Sequence, residues 1–467
     1  MSHLVPVAHP LPPDAAHAGA PLNIAVVGAG IAGLSAAWLL GQRHRVTVFE
    51  TEPRPGGHSH TVDAPVPGGQ RVPVDTGFIV YNEPSYPNLT ALFAHLGVPT
   101  VASDMSFAVS RDGGALEYAG TDLRGLFAQP RNLVRPRFWA MLRDLMRFYR
   151  EAPGQAAAAG LQPLEEFLDA HGYGAAFRED HLYPMAAAIW STPAGQIGRY
   201  PTEAFIRFCQ NHHLLQVDGR PVWRTVQGGS RSYVQRLVAG FADRLHLDQP
   251  VIAVRRDDEG AWLRTAGGWW PERFDAVVVG AHADQALGLL GDASADERRL
   301  LGAFQYSRNH TVLHSDPALM PRRRGVWASW NYLADSRNPD AAPCVTYWMN
   351  RLQGIDEKTP LFVTLNPTVE PHGDHLIRSQ VYEHPLFDAR AIEAQRSLWS
   401  LQGQRRVWFC GAYFGSGFHE DGLQSGLAVA EALGGVRRPW QVANESGRIH
   451  LGASPAAAAG TLGTTVP

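Results

Sequence analysis

Apolar residues recur along this chain in two spacings, and the alternation between them predicts the fold class. Short β-branched runs at Asn23–Val27 (NIAVV), at Arg45–Phe49 (RVTVF) and around Ala276 (AVVV) read as strands without a polar face, the pattern of a parallel sheet covered on both sides. Between the first two runs, residues 34–42 (LSAAWLLGQ) read as a helix, so an α/β core begins at Asn23 and continues to about Ala64. Residues 107–118 (FAVSRDGGALEY) alternate about Gly113 and Gly114 and predict a hairpin, and a longer, mostly helical region follows to about Val222. Within it, Phe138, Met141, Leu142, Leu145, Phe148 and Tyr149 fall at helical spacing. Residues 1–21 and 451–467 are rich in Pro, Ala, Gly and Thr without periodicity and read as poorly ordered tails.

Composition narrows the class. A chain of 467 residues exceeds what one hydrophobic core usually serves, which predicts two connected domains. Apolar residues make up 45% and charged residues 18%, enough core to exclude a disordered chain or a disulfide scaffold. A formal charge of −3 gives no global attraction to nucleic acid, so no nucleic-acid partner is expected. Cys209, Cys344 and Cys410 are odd in number and far apart, which suits reduced thiols in a cytoplasmic protein, and no metal-ligand spacing is found. The N-terminus lacks the pattern of a leader, and no uninterrupted apolar run reaches the roughly 18 residues of a membrane span. The expectation is a cytoplasmic protein, with peripheral attachment to the inner membrane as the alternative.

The strongest chemistry lies at the first turn. The strand ending at Val27 enters Gly28-Ala29-Gly30-Ile31-Ala32-Gly33, then a helix, then a second strand closed by Glu50. Gly28 permits a tight turn, Gly30 lets backbone approach a pyrophosphate at the helix N-terminus, Gly33 allows close helix packing, and Glu50 stands where a carboxylate accepts ribose hydroxyls. This order defines a dinucleotide site without choosing between NAD and FAD.

The run Glu50 to Thr61, containing Arg54, Gly56, Gly57 and His58, resembles the extended fingerprint of the amine oxidase and phytoene desaturase superfamily of flavoproteins. The resemblance implies FAD, with the arginine and the glycine pair against its phosphate and ribityl region. Further stretches are similar to the same superfamily. Gly411 and the run 415–426 (GSGFHEDGLQSG) resemble a closing motif that sets a helix N-terminus, here Asp421, Gly422 and Leu423, beside the flavin pyrimidine, with Gly422 permitting the approach and Asp421 capping backbone donors rather than meeting the ring. Gly77, Phe78 and Ile79, after Asp75, resemble the segment passing the ring's other edge, and Val251 the strand holding adenine. The resemblance thus implies an α/β fold with a discontinuous Rossmann-type FAD-binding domain (22–80, 223–290 and 405–440) and an inserted α+β substrate domain (81–222 and 291–404).

Longer strings, among them GFIVYNEPSYPNLTALFAHLGV, FCQNHHLLQ and WFCGAYFGSGFHEDGLQSG, look like the flavin-binding domain preceding the methyltransferase domain of plant cyclopropane fatty acid synthases and its free-standing bacterial relatives. This implies acyl-chain modification on a hydrophobic substrate, a fatty acyl chain free or in phospholipid, by dehydrogenation or desaturation. Amine oxidation, redox-neutral flavin isomerisation and a non-catalytic partnership with a lipid methyltransferase stay open. The chain has a single lysine, Lys358, in a charged segment that reads as exposed loop, a poor place for the lysine many amine oxidases hold beside the flavin. No second glycine fingerprint or C-x-x-x-x-C pair is found, so electrons are expected to enter from the substrate.

Proton acceptors are sought among His419, His212 and His213, with Tyr413, Tyr86, Tyr81 and Glu420 nearby, because a histidine takes up a proton near neutrality. A structural role is the alternative for each. Cys410 reads as a buried apolar residue rather than a flavin attachment point. Residues 131–151 carry six arginines against Asp144 and Glu151, which suits either an anionic bilayer or a core stripe with a solvated arginine face. Arg322, Arg323 and Arg324 bind a phosphate headgroup or form a solvated loop.

Overall fold

The computed structural model describes residues 20–338 and 341–452. Apart from Ala20, Pro21, Leu451 and Gly452, the expected tails lie outside these residues. The apolar runs form a five-stranded, all-parallel sheet in the order Leu245–His246, Arg45–Phe49, Asn23–Val27, Ala276–Val279, Val407–Phe409. Every strand comes from one of the three segments assigned to the dinucleotide domain. Asn23–Val27 is central, flanked by the strand that follows it and by one from far down the chain. Its C-terminal end is therefore a topological switch point, where this architecture opens a crevice.

Helix Ile31–Leu40 packs on this sheet and helix His419–Gly434 packs against that helix, and glycines set the spacing of the two helices. A Cβ on Gly426 would stand 2.2 Å from the Ala32 carbonyl oxygen, so the helices approach to backbone contact. A three-stranded meander (Val251–Arg256, Ala261–Thr265, Gly268–Trp269) precedes the fourth strand in sequence.

A seven-stranded sheet forms the second layer, in the order Leu376–Leu386, Gln305–His314, Phe362–Leu365, Cys344–Trp348, Trp330–Ala334, Phe107–Arg111, Leu116–Ala119. It is antiparallel except where Trp330–Ala334 runs parallel to Phe107–Arg111. The expected hairpin is its last pair, turning through Asp112–Gly114. A small sheet of Val80–Asn82, Trp223–Val226 and Thr100–Ser103 joins the two parts. Helices fill most of 123–211, the longest being Pro136–Ala159, whose Phe138, Met141 and Phe148 are buried. The apolar stripe read in 131–151 is thus a core stripe. Among the described residues, no helix is long and apolar enough to cross a membrane.

Candidate functional site

A cavity of about 930 Å³ opens at the C-terminal ends of the parallel strands and extends to the seven-stranded sheet, the upper end of the range for ligand cavities. Its nucleotide end is made of two interlocking glycine turns. Gly28 turns at φ +98° and Gly57 at φ +54°. The Gly56 amide donates to the Ala29 carbonyl (2.7 Å), and a Cβ on Gly57 would approach Gly30 Cα to 3.1 Å. The fingerprint and the Arg54–His58 run therefore build one cradle. Nothing lies within 4 Å of where a Gly30 Cβ would project, which leaves backbone open to the cavity.

Glu50 closes this end. Its Oε2 accepts from the Ala29 amide (2.6 Å) and its Oε1 from the Glu52 amide (2.9 Å), so the carboxylate is fixed while lining the cavity. Arg54 lines it too, tethered by donation to the Gly57 carbonyl (2.9 Å).

Ile31, Ala32, His58, Gly77, Phe78, Ile79, Val251 and Gly411 also form the wall. Five polar atoms on its residues are buried without a partner: His58 Nε2, Trp190 Nε1, His212 Nε2, Trp330 Nε1 and the Tyr413 hydroxyl. Unpaired buried polar groups cost free energy, so the residues present fit a polar ligand such as FAD that would satisfy some of them.

Asp75 holds the cradle together from behind. Fully buried, it accepts from the Thr61 hydroxyl (2.6 Å), the Ser230 hydroxyl (2.8 Å), the Ser230 amide (2.9 Å) and Gln353 Nε2 (3.1 Å). Burial raises its pKa to about 6. Asp75→Ala is expected to orphan these donors and lower stability by about 2–3 kcal/mol, with faster release of FAD, read by urea unfolding and by flavin fluorescence. Unchanged retention of the cofactor would detach Asp75 from the cradle.

Two expectations at the closing helix, for Gly422 and Leu423, need correction, while Asp421 has the capping role expected of it. Asp421, Gly422 and Leu423 do not line the cavity, whose wall here is Ser416, Gly417, Phe418 and His419. The helix starts at His419, and its first turn faces the site one step earlier than expected. Asp421 accepts from the Phe418 amide (2.8 Å) and from Arg448 (3.3 Å), a helix cap. A Cβ on Gly422 would meet Ile31 Cγ2 at 3.0 Å, so this glycine serves helix contact, and Leu423 is core. Gly33 is likewise packing, since its Cβ would stand 2.0 Å from the Gly28 carbonyl oxygen. Glu420 is buried and caps another helix, accepting from the Asn88 and Leu89 amides.

The histidines separate clearly. His212 ends helix Thr202–Asn211 and lines the cavity between Phe208 (4.0 Å, stacked) and Phe418 (5.3 Å). Its Nδ1 lies 3.0 Å from the Phe208 carbonyl, which only accepts, so the proton sits on Nδ1 and the unpartnered Nε2 carries a lone pair. Burial lowers its pKa to about 3. His419 also lines the cavity, but it stacks on Phe78 (3.9 Å) and its Nε2 is held by the Tyr233 hydroxyl (2.7 Å). His213 turns out of the helix at φ +55° and is not in the wall of the cavity. Tyr413 and Tyr86 line the cavity and Tyr81 does not. The Tyr413 hydroxyl stays protonated, its pKa pushed well above the ordinary value by burial. Cys410 is buried outside the wall, its thiol pushed up to about 12. Arg323 pairs with buried Glu117 (2.7 Å), and Arg324 covers Trp327 and Trp348.

Sequence reasoning missed the far wall. Strand Leu376–Leu386 contributes Arg378, Tyr382 and His384, strand Gln305–His314 contributes Tyr306, and Trp330 and Tyr347 come from the sheet's centre. Tyr382 stacks on His58 (4.9 Å) and accompanies Thr76 through its hydroxyl (2.8 Å). No motif marks these residues.

Fold and cavity together define a flavin-dependent oxidoreductase. The family model for flavin-containing amine oxidoreductases matches residues 31–307, more than half the chain, and the chain belongs to that family, which brings FAD as cofactor. No curated protein matches it. Its solved structural relatives include a fatty acid isomerase from P. acnes that produces CLA, with a TM-score of 0.60 at 17% identity over 88% of this chain and 98% of the other. A putrescine oxidase bound to putrescine gives 0.63 at 14% identity over 88% and 99%. Cyclohexylamine oxidase from Brevibacterium oxydans IH-35A gives 0.61 at 17% identity over 88% and 99%. At these identities the likeness is one of fold.

Proposed function

We propose that this oxidoreductase dehydrogenates a hydrophobic acyl chain, free or in phospholipid. The observation that carries the reading is the wall around His212. Trp190, Phe208 and Phe418 contact one another there (ring centroids 4.4 to 6.5 Å apart), with Ile189, Leu214 and Met105 alongside. The carboxylates lining the cavity are elsewhere. Glu50 and Glu52 belong to the nucleotide end, and Glu383 is engaged by Arg308 (3.5 Å) and His282 (3.5 Å). An ammonium substrate would meet aromatic faces there but no carboxylate, whereas the aromatic and aliphatic surface as a whole stabilises a hydrocarbon chain. Lys358 is exposed and outside the cavity. The resemblance to cyclopropane fatty acid synthases points the same way.

FAD, when bound, supplies a two-electron acceptor. The cradle of Gly28, Gly30, Glu50, Arg54, Gly56 and Gly57 would hold its dinucleotide part. The aromatic wall orients the chain and excludes water, and Nε2 of His212 takes the proton lost as the C=C bond forms. The test is anaerobic: acyl phospholipids should bleach the flavin and yield a new double bond by mass spectrometry. Bleaching by primary amines or polyamines, with lipids inert, would overturn the proposal in favour of amine oxidation. Lipid double bonds that move without net bleaching would mark an isomerase instead.

A further inference from the structure

Helix Pro136–Ala159 has a second face that the cavity does not use. Its core face turns Phe138, Met141, Leu145 and Phe148 inward. On the opposite side, Arg135, Trp139, Arg143, Met146 and Arg150 follow at i, i+4, i+8, i+11 and i+15, which keeps them within about a quarter turn of one another. Trp139 and Met146 are each 50% exposed. Apolar residues before the helix extend the patch, Leu133 at 53%, Val134 at 80% and Leu123 at 73% exposure. The patch is continuous at its centre, since the Trp139 indole donates to the Leu133 carbonyl (2.9 Å) and its ring lies 5.7 Å from Phe127.

Basic residues outnumber acidic ones along this helix. Residues 131–151 carry a formal +4 in a chain of total −3. Of the nearby acids, Asp144 is buried against Arg143 and Arg147, Glu151 pairs with Arg150, and Asp122 caps the Gly125 amide. Half-exposed tryptophan and aliphatic groups interleaved with arginines complement an anionic lipid interface, where apolar groups enter the acyl boundary and guanidinium groups meet phosphate.

We infer that this face docks the protein on an anionic bilayer. The apolar stripe faces the core, one of its two expected uses, and the docking groups are the arginine, tryptophan and methionine residues on the other side. The helix packs against Thr202–Asn211, which supplies Phe208 to the cavity and ends at His212. Helices Pro136–Ala159 and Thr202–Asn211 therefore both stand between docking face and cavity. Docking does not rest on the acyl reading, although that reading would gain a route for its substrate.

The test is sedimentation of the FAD-loaded full chain with phosphatidylcholine vesicles, with and without phosphatidylglycerol. Binding is expected only to the anionic vesicles and only at low salt. Trp139→Glu and the pair Arg143→Gln with Arg150→Gln should each weaken it about tenfold or more, with flavin absorbance and melting temperature unchanged. Arg299→Gln, an exposed arginine elsewhere, should bind like the unaltered protein. Equal binding to neutral vesicles, binding unaffected by the Trp139 and arginine changes, or an equal loss in Arg299→Gln would overturn the inference. So would light scattering that shows Trp139→Glu dissolving a dimer in the absence of lipid, which would assign the face to a second copy.

Discussion

Gly33→Ala is expected to yield a protein that retains little FAD and unfolds at markedly lower denaturant. The added Cβ would stand 2.0 Å from the Gly28 carbonyl oxygen, 3.1 Å from the Gly28 carbonyl carbon and 3.4 Å from Val26 Cγ1. Two of these are backbone atoms of the turn that forms the cradle, so no side chain can swing aside. Helix Ile31–Leu40 would have to lift from the sheet, at a cost of about 3 kcal/mol or more. Gly30→Ala supplies the contrast. Its φ of −75° suits any residue and open space surrounds the new Cβ, so folding stability should change by no more than about 0.5 kcal/mol. FAD affinity should nevertheless fall about tenfold or more, because the methyl group occupies the backbone approach intended for pyrophosphate. Apoprotein unfolding and FAD titration separate the two effects. Undiminished affinity in Gly30→Ala would move the cofactor away from this turn.

What was legible in the sequence follows from how local each constraint is. The glycine turn, Glu50 and the Arg54–His58 run announce themselves because a tight turn and a backbone approach demand particular residues at fixed offsets. The far wall obeys no such rule. Tyr382 and His384 stand in an edge strand, and they reach the cavity only because that strand pairs with Gln305–His314 in a specific register. The closing helix shows an intermediate case. Its existence was legible, but Gly422 served helix packing against Ile31 rather than the cavity, and a single sequence does not distinguish those two uses of a glycine. The histidine pair was decidable in principle. Phe205, Phe208 and His212 fall at i, i+3 and i+7 of one helix, which puts His212 on the apolar face and His213 off it.

Replacing His212 with Gln should lower kcat by about 10² to 10³-fold, with FAD retained and KM little altered. Glutamine keeps the site polar but has no basic lone pair for the substrate proton, and the other groups nearby are poor substitutes. Nε2 of His419 is engaged by Tyr233, and Tyr413 is already protonated. The pH dependence carries a second signature. With its folded pKa near 3, His212 is neutral across the working range, so it should add no acidic limb to the rate profile above about pH 4. Stability carries the opposite imprint. Because the folded pKa is depressed below the ordinary histidine value, the neutral ring's full contribution is present above about pH 6.5 and is progressively lost as pH falls toward 3, where the unfolded chain alone binds the proton. Between pH 6 and 4, His212→Gln should therefore lose stability less steeply than the unaltered protein, by about 1.4 kcal/mol per pH unit. Urea unfolding at those two pH values measures the difference. A kcat that survives the substitution, together with an unchanged stability slope, would assign both the proton and the buried neutral ring to a different residue.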